Sequence, residues 1–276
     1  MEKIIIWSIG KFINGASYVS KTYAANKALS IFSTPRRGQA NTTQMAFLDA
    51  AQEQKHFYNN EAFSSYKWGS GSKTVLLAHG WESNAGRWKL FIESLSDLDC
   101  TFIALDAPGH GKSETKEFNA LIYAEYLNVV VQAYNPEIVI GHSVGGMSSI
   151  FYLSKFNQDW NGKLILLGAP SEFENVFKGY TDMLGYNNRV IELLDYTIEN
   201  RFGNPPSKFS GAEKSEELNN IKSLIIHDEE DKIIAVEEAY LYESKIKNSE
   251  FIKTKGYGHG LNHADIIAMV KTFITT

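Results

Sequence analysis

Three side chains that together can turn an alcohol into a nucleophile stand far apart in the chain: Ser143, Asp231 and His259. A serine hydroxyl is a poor nucleophile until a base takes its proton, and the base needs a third group to orient it. Ser143 lies in Gly141-His142-Ser143-Val144-Gly145-Gly146, directly after the apolar run Ile138-Val139-Ile140 and before the helix-compatible stretch Met147 to Lys155. Gly-x-Ser-x-Gly between a buried strand and a helix is the sequence form of a nucleophile elbow. The turn must be sharp enough to push the serine oxygen into a cleft, and its neighbours must be small enough for strand and helix to pass closely. The helix that starts there aims free N–H groups at the reacting atom. Without its flanks the pentapeptide would read equally well as an ordinary Gly/Ser loop.

In open α/β sheets the reactive groups gather beyond the carboxyl ends of the strands. The apolar run Leu224-Ile225-Ile226 ends in His227-Asp228-Glu229-Glu230-Asp231, and Phe251-Ile252 leads to Lys255-Gly256-Tyr257-Gly258-His259. Nucleophile, acid and base then follow in the order Ser143, Asp231, His259, with Asp228 a rival for the acid. Five of the seven histidines (79, 110, 142, 227 and 259) fall at or just after expected strand ends. Such clustering suits a metal, but no His-Glu-x-x-His or Cys/His motif accompanies it, so neither metal nor cofactor is expected. His79, His110 and His142 are expected to hold loops by hydrogen bonds, with His79 also a candidate wall of the substrate pocket. Asp106 is expected to fix its loop, and Trp81 and Trp88 to serve as core or pocket wall.

These residues need a frame. The segments Thr74–Ala78, Thr101–Leu105, Ile138–Ile140, Lys163–Leu167, Ser223–Ile226 and Glu250–Thr254 read as strands. Helical patterns lie between them at Gly86–Leu98, Asn119–Tyr134, Met147–Lys155 and Val236–Ile246, with a closing helix from Asn262 to Phe273. That alternation predicts an α/β fold: a mostly parallel, twisted sheet with helices on both faces. Phe57-Tyr58 and Phe63–Trp68 predict two strands around an Asn59-Asn60 turn. The rhythm stops between about Ser171 and Leu218, where a small helical cap is expected. Apolar residues at helical spacing from Ile5 to Tyr23 predict an amphipathic helix through about Leu29, and Thr43–Lys55 a second helix. Domain limits follow as a helical extension over 1–55 and a main domain over 56–276 with the insertion at about 171–218.

The chain has 276 residues, 43% hydrophobic and 21% charged, which fits one α/β domain with an insertion. A formal net charge of −5 without a basic run speaks against nucleic acid as a partner. Cys100 is the one cysteine, which fits a reducing compartment, and a cytoplasmic location is expected. No apolar run is long enough to span a bilayer, although the N-terminal helix could touch a membrane surface peripherally.

Over about residues 56–276 the sequence resembles the α/β-hydrolase superfamily. His79-Gly80-Trp81 is similar to the family's oxyanion-loop His-Gly, and Asp106-Ala107-Pro108-Gly109-His110-Gly111-Lys112-Ser113 to its Asp-x-x-Gly-x-Gly-x-Ser loop. The Ser143 elbow, Asp231-Lys232-Ile233-Ile234 and Gly258-His259 resemble its remaining motifs. Asp228 stands where the family usually has glycine. The resemblance implies a Ser143, Asp231, His259 triad, with the backbone N–H groups of Trp81 and Val144 as oxyanion hole. It implies a hydrolase of small-molecule carboxylic esters or thioesters. Acyltransferase or C–C bond hydrolase chemistry on the same residues, perhydrolysis as a side activity, and a non-catalytic ligand-binding member of the fold are the alternatives. Phe173, Phe177, Met183 and Leu184, nearest the strand end, are expected to line the substrate pocket.

Overall fold

A computed structural model describes residues 2–218 and 221–276. Met1, Asn219 and Asn220, which fall within the expected extension and main domain, lie outside the described residues. The chain forms two compact units, one of residues 35–171 and 211–276, the other of residues 1–34 and 172–210.

The larger unit is built on an eight-stranded sheet. Its strands are β1 (Gln52–Tyr58), β2 (Glu61–Trp68), β3 (Lys73–Ala78), β4 (Cys100–Leu105), β5 (Ile138–His142), β6 (Lys163–Leu167), β7 (Lys222–Asp228) and β8 (Ser249–Thr254). They lie in the order β1-β2-β4-β3-β5-β6-β7-β8. β1 and β2 form a hairpin and β2 pairs antiparallel with β4, while every later pairing is parallel. The hairpin closes through Asn59 and Asn60, both with positive φ (48° and 65°), the conformation that a two-residue turn needs to match strand twist.

Both faces of the sheet are covered, which explains why β3 to β7 are continuous apolar runs rather than alternating ones. Val75, Leu77, Ile138, Ile140 and Ile165 share a buried core with Phe91, Ile266 and Val270, from α4 (Lys89–Ser94) and α11 (Ala264–Thr275). Their strand neighbours Leu76, Ile103, Val139 and Leu164 are also buried. α5 (Ala120–Tyr134) and α6 (Val144–Phe156) pack against each other and against β3. α9 (Gly211–Glu216) and α10 (Glu237–Lys245) complete the cover.

The expected helix over Thr43–Lys55 is shorter than its pattern suggested. α3 spans Thr42–Asp49, started by a reciprocal cap between Asn41 and Gln44, and Gln52–Lys55 belong to β1. β1 is an edge strand with mostly exposed, polar residues, so it carries no apolar alternation to reveal it.

The smaller unit joins α1 (Glu2–Val19) and α2 (Lys21–Ser33) to α7 (Phe173–Leu184) and α8 (Asn188–Phe202). The extension and the insertion are therefore one helical body, a different division from 1–55 and 171–218. Its core contains Ile13, Ala24, Ala28 and Leu29 from the N-terminal helices and Phe177, Leu184, Val190 and Leu194 from the insertion. Each pair of helices carries an apolar stripe that it cannot hide alone. Gly10 marks a close approach: a Cβ there would lie 1.7 Å from the carbonyl oxygen of Leu184. Asn14 spans the α7–α8 turn, donating to the carbonyl of Gly185 (2.9 Å) and accepting from the amide of Asn187 (3.0 Å). At the other boundary the amide of Gly211 donates to the carbonyl of Ser171 (2.6 Å), which returns 211–218 to the larger unit.

Candidate active site

Ser143 links β5 to α6 at φ 53° and ψ −131°, a strained backbone conformation for a residue with a side chain. The glycines around it are required by contact. A Cβ on Gly141 would lie 2.4 Å from the Cα of Gly146, and one on Gly145 would lie 2.3 Å from the carbonyl oxygen of Ala78. The Ser143 amide donates to the carbonyl of Leu167 at the end of β6 (2.9 Å). The turn is thereby held on both sides, with the side chain directed to the carboxyl end of the sheet.

The loops after β7 and β8 come to the same place. His259 Nε2 lies 3.1 Å from the Ser143 Oγ, and His259 Nδ1 lies 2.7 Å from Asp231 Oδ2. Oδ1 of Asp231 accepts the amides of Ile233 (2.8 Å) and Ile234 (3.0 Å). His227 reaches Oδ2 from the other side, its Nε2 at 3.4 Å and also 2.9 Å from the Ile234 carbonyl. Burial of the Asp231 side chain opposes ionisation. The donors His227, His259, Ile234 and Ile233 outweigh it and hold the carboxyl well below the usual carboxylate range.

Asp228 is occupied elsewhere. Its carboxylate accepts from Thr254 Oγ1, the Tyr257 amide and the Glu230 amide, each at 3.0 Å. Burial again opposes ionisation, and these donors lower its pKa. Asp228 pins the start of the histidine loop to β7.

The loop after β3 abuts the serine: a Cβ on Gly80 would lie 2.8 Å from the Cβ of Ser143. Two imidazoles shape it. His79 Nε2 accepts from the Ala107 amide (3.0 Å), so its Nδ1 carries the proton and donates to the Gly80 carbonyl (2.7 Å). His110 Nε2 accepts from the Glu82 amide (2.9 Å) and its Nδ1 donates to the Pro108 carbonyl (2.8 Å). Burial holds His79 well below the ordinary histidine value and lowers His110 to about 4. His79 was a candidate for the pocket wall, but it is fully buried with both ring nitrogens engaged. It braces the loop instead. Trp81 is half-buried against Phe118 and His110, whereas Trp88 is sealed in the core. Val144 opens α6, and a first helical residue has no carbonyl four positions back within the helix to accept its N–H.

Asp106 is fully buried and accepts from Tyr66 Oη (3.1 Å) and the amides of Ala85 (3.0 Å) and Lys112 (2.9 Å). It ties its own loop to β2 and to the turn that starts at Ala85, and burial pushes its pKa up. Two contributors carried no signal for the role they take. Arg87 donates to the Gly260 carbonyl next to His259 (2.9 Å), and its guanidinium is lowered to about 10 by burial. His227 was marked only as one of several strand-end histidines.

The four apolar residues expected in the pocket all lie in the helical unit. Phe177 and Leu184 are in its core and Phe173 packs at the core's edge, while Met183 is exposed. For Phe177 and Leu184 this is the interior of their own unit, because α7 turns that stripe toward α1, α2 and α8. Among the described residues, no group of three or more His, Cys, Asp or Glu is placed to hold a metal ion. No helix among them is long and apolar enough to cross a membrane.

Residues 73–188 match a family model described as alpha/beta hydrolase fold. The chain is 32% identical over 149 residues to a serine hydrolase-like protein of Danio rerio, covering 48% of this chain and 45% of that protein. It is 26% identical over 147 residues to a pimeloyl-[acyl-carrier protein] methyl ester esterase of Wigglesworthia glossinidia brevipalpis, covering 51% and 52%. The matches thus span about half the length of these curated relatives. A bromoperoxidase from Bacillus anthracis superposes with a TM-score of 0.62 at 20% identity, over 82% of this chain and 100% of that one. At that identity the likeness concerns the fold alone. The matched residues contain the elbow, and the sheet described above has the strand order and parallel pairing that go with it: the chain has the α/β-hydrolase fold.

Proposed function

We propose that the protein is a serine hydrolase that cleaves carboxylic esters or thioesters through an acyl-enzyme on Ser143. The observation that carries this reading is the position of His259, with one ring nitrogen on the Ser143 hydroxyl and the other on the Asp231 carboxylate. His259 Nε2 takes the hydroxyl proton as Oγ attacks the acyl carbon, then delivers it to the departing alkoxide or thiolate. A water molecule, deprotonated by the same nitrogen, attacks the acyl-enzyme and releases the acid. Asp231, kept ionised, holds Nδ1–H and stabilises the imidazolium that forms at each step. The N–H groups of Val144 and Trp81 receive the oxyanion, worth about 3–4 kcal/mol per donor.

The relative named as a methyl ester esterase supports an ester with a small alcohol as one substrate class. Phe173 and Met183 are the two expected pocket residues that the core of the helical unit does not enclose, so they are the side chains on which acyl selection is tested. A fluorophosphonate probe tests the central claim. Wild-type protein should be labelled at Ser143, and Ser143→Ala should not react. Folded wild-type protein that resists labelling would refute the reading. A series of p-nitrophenyl esters of increasing chain length, run on wild type, Phe173→Ala and Met183→Ala, then tests acyl selection.

A further inference from the structure

The helical unit leaves an apolar surface open. Ile4, Ile5, Trp7, Phe12, Tyr18 and Val19 of α1 are between 56% and 90% exposed, and Tyr23 of α2 is 50% exposed. The opposite side of α1, with Gly10, Ile13 and Ser17, is the one buried in the unit. α1 is therefore apolar on two sides, and the core explains one of them. The open side is shaped as well as apolar. One shallow groove between α1 and α2 is lined by Phe12, Ala16, Val19 and Tyr23 with Lys11 at its edge, and a second by Ile4, Ile5, Ile9 and Ile31 with Lys27. Phe12 stands between the two and meets Tyr23 edge to face at 6.5 Å.

Charge selects the occupant. From Lys3 to Leu48 the sequence holds six cationic residues and no Asp or Glu, in a chain whose net charge is −5. Lys11, Lys21 and Lys27 are exposed beside the apolar side chains. Lys11 Nζ stands 5.6 Å from the Trp7 ring centre, and Arg189 lies 5.0 Å from the ring centre of Tyr18. Apart from Glu2 at the start of α1, the acids of this unit are in the insertion, at Glu172, Glu174, Asp182, Glu192, Asp195 and Glu199. A two-fold pairing of this face with a second copy would set lysines against lysines, with no acid from residues 3–34 to pair them. An anionic lipid surface satisfies both features at once. Acyl chains and the headgroup boundary take up the apolar rings, Trp and Tyr sit at that boundary, and the lysines meet the phosphates.

We propose that the exposed face of α1 and α2 is a peripheral docking surface for bilayers rich in anionic lipid. The full-length protein should co-float with vesicles of phosphatidylcholine containing phosphatidylglycerol, and raised salt should weaken that binding. Binding to vesicles of phosphatidylcholine alone should be at least tenfold weaker. Trp7→Ala with Phe12→Ala should lower binding tenfold or more to anionic vesicles, with the thermal midpoint unchanged, because both side chains are solvent-exposed. Lys11→Glu, Lys21→Glu and Lys27→Glu together should reduce binding to anionic vesicles and leave the weak binding to neutral ones as it was. Failure to co-float, or equal binding to both vesicle types, would overturn the proposal. So would a dimer in light scattering that Trp7→Ala converts to monomer, since the face would then be covered by a second copy. None of these readings depends on esterase activity.

Discussion

His142 donates through Nε2 to the carbonyl oxygen of His259, 2.8 Å away. The residue before the serine thus holds the backbone of the residue proposed as its base. The pairing fixes the tautomer: Nε2 carries the proton, and Nδ1 is a bare, buried nitrogen without a hydrogen-bond partner. Burial, with the nearby charges of Arg87 and His259, holds His142 well below the ordinary histidine value, so it stays neutral. Replacing His142 by Ala should leave Ser143 and His259 in place chemically but free the loop. A misplacement of about 1 Å is enough to cost roughly 100-fold in rate, so kcat on a p-nitrophenyl ester should fall by about 10- to 100-fold. His142→Gln, which keeps a donor at similar reach, should recover part of it. Equal loss in both variants would show that the bond to His259 is not what matters.

The two aspartates after β7 should separate cleanly. Asp231→Asn removes the carboxylate that orients His259, and kcat should drop by about 10⁴-fold, as for the equivalent change in a serine protease. Asp228→Asn disturbs a clamp between β7 and the histidine loop, so it should lower the thermal midpoint and reduce kcat far less. Steady-state kinetics alongside melting curves would reverse the assignment if Asp228→Asn proved the more damaging to kcat. Ser143→Ala and His259→Ala should each abolish most turnover, and the double variant should be little worse than either, because members of such a set act as a unit.

What could be read in the sequence follows from how local the physics is. The parallel sheet was legible because buried strands such as Ile138-Val139-Ile140 and Leu164-Ile165-Leu166-Leu167 are unbroken apolar runs between glycine-marked loops. Ser143 was legible because an elbow imposes small residues at fixed offsets, and the contacts of Gly141 and Gly145 show the steric cause. β1 was not, since an edge strand facing water keeps no apolar period. The union of α1 and α2 with α7 and α8 was not legible either. An apolar stripe states that a helix needs a partner, but the partner, met at Gly10 and Leu184, is more than 170 residues away in the chain. Arg87 and His227 act through backbone carbonyls and a shared carboxylate, and such partnerships leave no spacing rule.

Acid should destabilise the fold through its buried neutral histidines. Burial lowers His110 to about 4 from an ordinary 6.5, against the opposing effects of its bond to Pro108 and the charge of Glu82. Between those two values an unfolded chain binds a proton that the native chain does not, so stability falls as pH falls through that window. For His110 alone the full difference is about 3 kcal/mol, and His79 and His142, also pushed down, add to it. Thermal melts from pH 7 to 4.5 should show a falling midpoint, and His110→Gln should flatten part of the slope. An unchanged slope in that variant would place the acid sensitivity elsewhere.

The helical unit gives the last test, because three of its expected pocket residues have different surroundings. Phe177 and Leu184 are 5% and 4% exposed and share a core with Ile13, Ala28 and Leu194, whereas Met183 is 58% exposed. Removing a buried side chain loses its transfer free energy and leaves a cavity. Phe177→Ala and Leu184→Ala should each therefore cost about 2–5 kcal/mol. The Leu184 carbonyl lies against Gly10 without space for a methyl group, so the backbone there has little room to collapse into the cavity. Met183→Ala should change stability by less than about 0.5 kcal/mol, as substitutions of exposed residues generally do. Any shift in acyl-chain preference it produces would then be a direct effect on the substrate rather than a consequence of loosened packing. Denaturant unfolding of the three variants, followed by the p-nitrophenyl ester series, separates the two effects. If Phe177→Ala and Leu184→Ala altered chain-length preference with stability intact, both side chains would belong to the substrate site and not to the core of the unit.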